Sequence, residues 1–203
     1  MEITLIRHTQ VQNPLKLCYG WSDIPLSDDF EKEARLVKYD LNDSKPDQVY
    51  CSPSKRTQAL AYFLGFSEPI IDNRLNELNF GDWELKSWES IPNRELSFWM
   101  YNYFHYKVPG GESFQDLTLR VNQFIHYIMG VFSNTEPISN LKSNFKLLIF
   151  THSGPIRAFL SYFLKVNPYE IMLWKIPEGG IWKIKLFNDS IPILYPPLTN
   201  LKK

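Results

Sequence analysis

The chain has few cysteines, no excess of either charge and no long apolar run. Only Cys18 and Cys51 are present among its 203 residues. They have no metal-type pair spacing and nothing else suggests a secreted disulfide scaffold, so we expect both thiols to be reduced and buried. The 22 basic residues balance 22 acidic ones. Nucleic-acid binders usually carry a clustered basic excess, and we therefore expect no nucleic-acid partner.

The sequence also shows no segment typical of secretion or of membrane insertion. No apolar run approaches the roughly 18–20 residues that would span a bilayer. The first six residues lack the basic leader and apolar stretch of a secretion signal. We expect a cytoplasmic protein with no membrane partner.

The size and composition are typical of one globular domain. Hydrophobic residues make up 44% and charged residues 22% of the chain, which excludes disordered and fibrous classes. A chain of this length buries a sizeable core, and we find no internal repeat. We expect a single domain over residues 1–203.

Short apolar runs alternate with helical patterns along the chain. Strands are predicted at residues 3–6, 48–51, 146–150 and 181–187, and helices at 27–41, 53–64 and 114–132. A further helix is predicted after the strand at 146–150, with Pro155 in its first turn. Residues 134–144 have the composition of a polar loop, and 191–197 that of an extended surface tail. The alternation indicates an α/β fold in three layers, a mostly parallel sheet flanked by helices.

Polar side chains follow three of these predicted strands. Arg7 and His8 end the first, His152 follows the strand at 146–150, and Arg56 lies in the first turn of the helix after 48–51. Ligands of open α/β sheets bind at the carboxyl ends of the strands. The two histidines are therefore expected at one edge of the sheet.

Hydrolysis of a phosphate ester without a metal needs the residue types found there. A neutral imidazole can attack phosphorus, arginines can pair with the phosphoryl oxygens, and an acid must protonate the leaving oxygen. Glu77, in the segment between the strand ends, is a candidate acid. Each residue alone has a simpler interpretation as a structural histidine, a helix-surface charge or a loop acid.

Four motifs in order carry a resemblance to a known family. They are Arg-His-Thr at 7–9, Ser-Pro-x-x-Arg at 52–56, Leu-x-Glu-x-x-Phe-Gly-x-Trp-Glu at 75–84 and His-Ser-Gly at 152–154. One such match would be weak evidence, but four in order are strong. The chain resembles the histidine phosphatase superfamily, which has the phosphoglycerate mutase-like fold.

The resemblance implies a role for each matched residue. His8 would be the nucleophile that forms a phosphohistidine, and Glu77 the proton donor. The phosphate pocket would consist of Arg7, Arg56 and His152. The resemblance also implies substrate-binding residues, although the motif is less specific at these positions: Thr9, Asn13, Tyr19, Gly20 and Ser153. The resemblance implies no metal and no cofactor, with a small-molecule phosphate ester as the partner.

Thr9 stands where the family usually has glycine. A threonine near the phosphate could clash through its Cβ or provide an extra hydroxyl donor. This difference from the family motif raises the alternative of a non-catalytic pseudo-phosphatase that only binds phosphorylated ligands. Retention of both histidines and of Glu77 favours the enzyme. A metal site made of His8, His152 and a carboxylate is disfavoured by the two neighbouring arginines.

The segment 80–113 is rich in aromatic residues and is expected to form an insertion or lid over the sheet. Its aromatic residues up to Tyr106 are Phe80, Trp83, Trp88, Phe98, Trp99, Tyr101, Tyr103, Phe104 and Tyr106, and its basic residues are Lys86, Arg94 and Lys107. The resemblance implies more cations and a longer insertion in a mutase. Aromatic rings suit a flat, apolar leaving group, although many of them could serve as core or homodimer contacts.

Further segments narrow the resemblance within the superfamily. Residues 18–20, 23–26 and the Pro-Gly-Gly-Glu-Ser run at 109–113 are similar to those of α-ribazole-5′-phosphate phosphatases of cobalamin biosynthesis. Their substrate is a ribose phosphate that carries a flat dimethylbenzimidazole. The similarity implies hydrolysis of α-ribazole 5′-phosphate, with a broad-specificity small-molecule or sugar phosphatase as the alternative.

Overall fold

The structure, a computed structural model, describes residues 1–42, 45–134, 145–186 and 193–198. Within these residues one sheet has the strand order β3-β2-β4-β1-β5-β6. The strands are β1 (Glu2–Arg7), β2 (Gln48–Cys51), β3 (Ile70–Ile71), β4 (Lys146–Thr151), β5 (Ile181–Lys185) and β6 (Ile193–Leu198). Strands β1 to β4 pair in parallel, whereas β5 pairs antiparallel with both β1 and β6. The predicted mostly parallel sheet is confirmed.

Helices cover both faces of this sheet. They are α1 (Phe30–Leu41), α2 (Lys55–Phe63), α3 (Asn93–Asn102), α4 (Phe114–Asn134), α5 (Ser153–Leu164) and the short α6 (Pro168–Ile171). Successive strand residues point to opposite faces. Accordingly Ile6 packs in the cluster of α1 and α2, while Leu5 packs in the cluster of α4 and α5. The three layers expected from the sequence are present.

The register of the parallel strands sets the position of the site. Arg7 lies opposite Thr151 in the β1–β4 pair, and Cys51 lies opposite Phe150. The ladder continues one step beyond the strands, because the backbone N–H of His8 donates to the Thr151 carbonyl at 3.1 Å. The residues that follow β1, β2 and β4 therefore meet at one edge.

Two predicted helix starts are corrected. The helix predicted from residue 27 begins at Phe30, because residues 27–30 form a turn in which the Phe30 N–H donates to the Ser27 carbonyl at 3.0 Å. The helix predicted from residue 53 begins at Lys55, since Ser54 is extended with ψ of 140°. Its predicted stop is confirmed: Gly65 has φ of +96° and the Phe66 N–H bonds back to Ala61, as in a Schellman ending.

The C-terminal predictions are met in part. The strand predicted over 181–187 ends at Lys185, and residue 187 lies outside the described residues. The tail predicted to lie extended on the surface contains an edge strand, β6, which pairs with β5; residues 191–192 are outside the described residues. Of the loop predicted at 134–144, Asn134 ends α4 and the rest is outside them. No helix in the described parts of the chain is long and apolar enough to cross a membrane.

Candidate active site

His8 follows β1 and is almost fully buried, with 2% of its surface exposed. Its Nδ1 lies 2.6 Å from the backbone carbonyl of Thr9. A carbonyl can only accept, so Nδ1 carries the proton and Nε2 keeps its lone pair. Burial, and then the charges of Arg56 and Arg7, hold the pKa of His8 well below its usual 6.5. The ring is therefore a neutral imidazole, which is the form that attacks phosphorus.

His152 follows β4 and lies beside His8, with the two ring centroids 5.2 Å apart. Its Nε2 is 2.8 Å from the hydroxyl of Ser52, which donates in turn to Oδ1 of Asn76 at 3.1 Å. The single hydroxyl proton goes to Asn76, so Nε2 of His152 donates to Ser52. Nδ1 is buried and has no partner among the described residues.

Arg56, in the first turn of α2, is held by backbone carbonyls. Its guanidinium donates to the carbonyl of Gly20 at 2.5 Å and to that of Ser22 at 3.0 Å. Its Nε is buried and lacks a partner within the described residues. One N–H donor of this buried cation thus remains available to a ligand.

Arg7 has a similar arrangement at the end of β1. Its terminal nitrogens donate to the Ile176 carbonyl and pair with Glu178 at 2.6 Å. Its Nε is buried, again with no partner in the described parts of the chain. Together with Nδ1 of His152 and Nε of Arg56, it makes three buried nitrogens near His8 without a hydrogen-bond partner in the described residues.

Glu77 lies opposite the N-terminus of α5. Its Oε1 accepts from the backbone N–H of Gly154 at 3.0 Å, and its Oε2 accepts from the hydroxyl of Ser153 at 3.1 Å. Gly154 leaves the space for this contact, because a Cβ there would lie 2.3 Å from Oε1. The carboxylate is fixed next to the histidine that precedes the helix.

A cavity of about 500 Å³ opens over Arg7, His8 and Glu77, whereas Arg56 and His152 are buried and do not belong to its lining. Its lining includes Arg7, His8, Glu77 and Ser153, and from the loop after β1 Asn13 and Tyr19. Aromatic rings form another wall: Phe80, Trp88, Trp99 and Phe114. The space is larger than a phosphate group needs, so it has room for a leaving group of the size of a small organic molecule.

Comparison with known proteins identifies the family of this chain. The family model of the histidine phosphatase superfamily (branch 1) covers residues 3–194. The chain belongs to this superfamily. A 2,3-bisphosphoglycerate-dependent phosphoglycerate mutase from Cytophaga hutchinsonii is 31% identical, over 98% of this chain and 96% of its own. An adenosylcobalamin/alpha-ribazole phosphatase from Salmonella typhimurium is 24% identical, over 90% and 88%.

The fold is shared with a solved member of the superfamily. The crystal structure of the alpha-ribazole phosphatase from Shigella flexneri superposes with a TM-score of 0.83 at 24% identity, covering 98% of this chain and 96% of that one. The expected phosphoglycerate mutase-like fold is confirmed. The chain is an enzyme of a superfamily whose named members include phosphatases and mutases.

The substrate-binding residues predicted for this histidine phosphatase divide into two groups. Asn13, Tyr19 and Ser153 line the cavity. Thr9 and Gly20 are instead buried beside it. Thr9 contributes its carbonyl to His8, which a glycine would do equally, and its own hydroxyl is buried without a partner in the described residues. Their roles toward a substrate stay predictions.

Gly20 has a backbone role that the sequence motif did not reveal. A Cβ at this position would lie 1.7 Å from the carbonyl oxygen of Leu78, so only glycine allows the loop to approach that segment. Its carbonyl accepts from Arg56. It therefore helps to position the guanidinium of Arg56, which the sequence predicts for the phosphate pocket.

Glu84 ties this loop to the insertion and was given no role by sequence reasoning. Its carboxylate accepts the backbone N–H groups of Gly20 (3.1 Å), Trp21 (3.0 Å), Ser22 (3.1 Å) and Phe80 (3.0 Å). The carbonyls of two of these residues hold Arg56. The Trp-Glu end of the third motif was the available signal.

Arg120, from α4, is a second residue that sequence reasoning missed. It donates to the carbonyls of Arg74 (2.8 Å), Asn76 (2.7 Å) and Glu77 (2.8 Å), and it pairs with Glu112 at 2.5 Å. The segment that carries Glu77 is thereby fixed against α4. Its partners Asn76, Glu77 and Glu112 lie within quoted motifs, but Arg120 itself does not.

The insertion contributes rings to the cavity, but its cations lie elsewhere. Besides Arg7, the basic residues that line the cavity in the described part of the chain are Lys16 and Arg157. Trp83 is 3% exposed and packs with Ile91 and Val108 in a small cluster of its own. Phe80, Trp88 and Trp99 line the cavity and also pack against this cluster.

The alternative metal site is not assembled. Within the described ranges, no three His, Cys, Asp or Glu side chains are grouped so that they could hold a metal ion. His8 and His152 have Arg56 and Arg7 as their charged neighbours. Two cations in this position suit an anion.

Proposed function

We propose that this histidine phosphatase hydrolyses phosphate monoesters without a metal, through a phosphohistidine at His8, and that its substrate is α-ribazole 5′-phosphate. The observation that carries the proposal is the contact between Nδ1 of His8 and the Thr9 carbonyl, which leaves Nε2 unprotonated. In a buried, neutral ring that nitrogen is a nucleophile.

The first step transfers the phosphoryl group to the enzyme. Nε2 of His8 attacks phosphorus, a P–N bond forms, and the bond to the leaving oxygen breaks. Glu77 enters this step as the carboxylic acid and gives its proton to that oxygen, so the alcohol leaves neutral and Glu77 becomes a carboxylate. In the second step water attacks the phosphohistidine, Glu77 takes a proton from the water, and inorganic phosphate leaves with His8 restored.

Charge stabilisation comes from the three buried nitrogens that lack protein acceptors. Nε of Arg7 and Nε of Arg56 donate to the phosphoryl oxygens. Nδ1 of His152 can donate as well once the ring takes up a proton, since its other nitrogen already donates to Ser52. A bound dianion offsets the burial that otherwise keeps this ring neutral.

The aromatic wall supports α-ribazole 5′-phosphate as the substrate. Phe80, Trp88 and Trp99 line the same cavity as His8 and offer ring faces and edges to a flat group. A dimethylbenzimidazole is such a group. The relative named as an adenosylcobalamin/alpha-ribazole phosphatase supports the same substrate, whereas the one named as a phosphoglycerate mutase makes 3-phosphoglycerate the necessary competitor.

The test is phosphate release from α-ribazole 5′-phosphate, 3-phosphoglycerate, fructose 2,6-bisphosphate and p-nitrophenyl phosphate without added metal. We expect a clear preference for the first and no effect of EDTA. Equal rates on all four would leave a broad-specificity phosphatase. No phosphate release from any of them would favour the non-catalytic binding protein. Strong inhibition by EDTA would contradict the metal-free mechanism. The cytoplasmic location and a homodimer stay predictions.

A further inference from the structure

Arg157 is a cavity cation that the proposed reaction leaves unused. It lies in the first turns of α5, close after the Ser153 and Gly154 that hold Glu77. Its side chain lines the same cavity as His8 and Glu77. It is therefore placed to meet the part of a substrate that adjoins the phosphate.

The hydrogen bonds of Arg157 are incomplete. Its Nη2 donates to the carbonyl of Trp174 at 3.0 Å, which anchors one end of the guanidinium. Its Nε is buried and has no acceptor among the described residues. No carboxylate of the described chain lies within ion-pair distance. A buried donor of this kind normally has an acceptor, which points to a ligand.

Arg157 interacts electrostatically with two residues of the proposed catalytic site. Burial lowers its pKa, while the neighbouring charge of Glu77 raises it and that of Arg7 lowers it. Both neighbours belong to the catalytic set. An oxygen bound at Arg157 would lie in the same cavity as Glu77 and Arg7.

We infer that Arg157 is a specificity-determining residue, which donates hydrogen bonds to an oxygen of the leaving alcohol. This inference rests on the proposed phosphatase function and adds to it the class of leaving group, an alcohol that carries a hydroxyl or a carboxylate near the ester. The phosphoryl oxygens already have the nitrogens of Arg7, Arg56 and His152. The ribose of a nucleoside phosphate carries oxygens of this kind, whereas a simple aryl phosphate carries none.

The test compares Arg157→Met with the wild type on three esters. Ribose 5-phosphate offers hydroxyls, 3-phosphoglycerate offers a carboxylate, and phenyl phosphate offers a ring without an acceptor. We expect kcat/KM to fall by about 10- to 100-fold on one or both of the first two, because a bond to a charged donor is lost. On phenyl phosphate kcat/KM should stay within about threefold. Loss on ribose 5-phosphate alone identifies hydroxyls as the group recognised, and loss on 3-phosphoglycerate alone identifies a carboxylate.

Two further variants keep the test decisive. Arg157→Lys retains the positive charge but lacks the paired N–H donors of the guanidinium. If Arg157→Met fails to fold, Arg157→Lys should show the same selective loss on ribose 5-phosphate. Arg35→Gln controls for the change in charge, because Arg35 and its partner Glu31 are both exposed. Equal losses on all three esters, or no loss on any, would overturn the inference. A wild-type protein inactive on these three esters and on α-ribazole 5′-phosphate would contradict the proposed function, and the inference with it. If the wild type hydrolyses only α-ribazole 5′-phosphate, kcat/KM on that ester must fall in Arg157→Met, and an unchanged value would overturn the inference.

Discussion

His8 and Thr9 are joined by a contact between the Nδ1 atom of one and the backbone carbonyl of the other, 2.6 Å apart. Because the acceptor belongs to the backbone, the contact does not depend on the side chain at position 9. The tautomer that exposes Nε2 is therefore compatible with threonine where the family usually has glycine. This relationship links the start of the sequence motif directly to the chemistry.

Gly154→Ala should reduce turnover without unfolding the protein. The new Cβ would lie 2.3 Å from Oε1 of Glu77 and 2.8 Å from Leu117, so the carboxylate must move away from the backbone N–H of Gly154. A displacement of this order can lower kcat by about 100-fold. The control is Gly130→Ala, where nothing lies within 4 Å of the added Cβ. Unchanged kcat in Gly154→Ala would contradict the assignment of Glu77.

Glu84→Gln should weaken phosphate binding through Arg56. The amide loses the negative charge that accepts four backbone N–H groups, and the loop whose carbonyls hold Arg56 loosens. We expect the free energy of unfolding to fall by about 1–3 kcal/mol and KM to rise more than kcat falls. Glu89→Gln changes an exposed glutamate of the same segment and serves as the control. Parallel behaviour of the two variants would argue against the role of Glu84.

The two buried histidines make stability depend on pH below 6.5. Burial lowers the pKa of both His8 and His152 in the folded chain, whereas in the unfolded chain they titrate near 6.5. The unfolded state then binds more protons, so the free energy of unfolding decreases as pH falls from 6.5 toward the folded-state pKa values. Each ring can contribute up to about 1.4 kcal/mol per pH unit.

A double variant, His8→Gln with His152→Gln, isolates this contribution. Thermal unfolding of the wild type and of the variant, followed from pH 7 to about pH 5, should give a shallower loss of stability in the variant. Identical slopes would mean that the folded protein protonates these rings as readily as the unfolded chain does.

Much of the fold follows from the sequence because its signals are local. The apolar run at residues 3–6 and the polar pair Arg7-His8 after it predict a buried strand that delivers two functional groups to the sheet edge, as observed. Gly65 predicts the end of α2 because only the backbone conformation at that residue is involved. The helix starts were less accurate, since a turn at Ser27 and an extended Ser54 compete with helix over the same residues.

The residues that sequence reasoning missed act over long distances along the chain. Arg120 contacts carbonyls of the segment 74–77, and Glu84 contacts the loop at 20–22. Arg157 lies within a helix pattern, where a basic residue is usually at the surface. No periodicity or motif spacing encodes such partners, which depend on the tertiary arrangement.

Trapping the phosphoenzyme tests most directly whether His8 is the nucleophile. Wild-type protein and His8→Ala are mixed with substrate, quenched in base and analysed by mass spectrometry, with His126→Ala as a control histidine outside the cavity. We expect an acid-labile phosphoryl group on His8 in the wild type and the control, and none in His8→Ala, which should stay folded and lose turnover by about 1000-fold or more. A phosphoryl group on another residue, or turnover by His8→Ala near the wild-type rate, would contradict the role of His8 as the nucleophile.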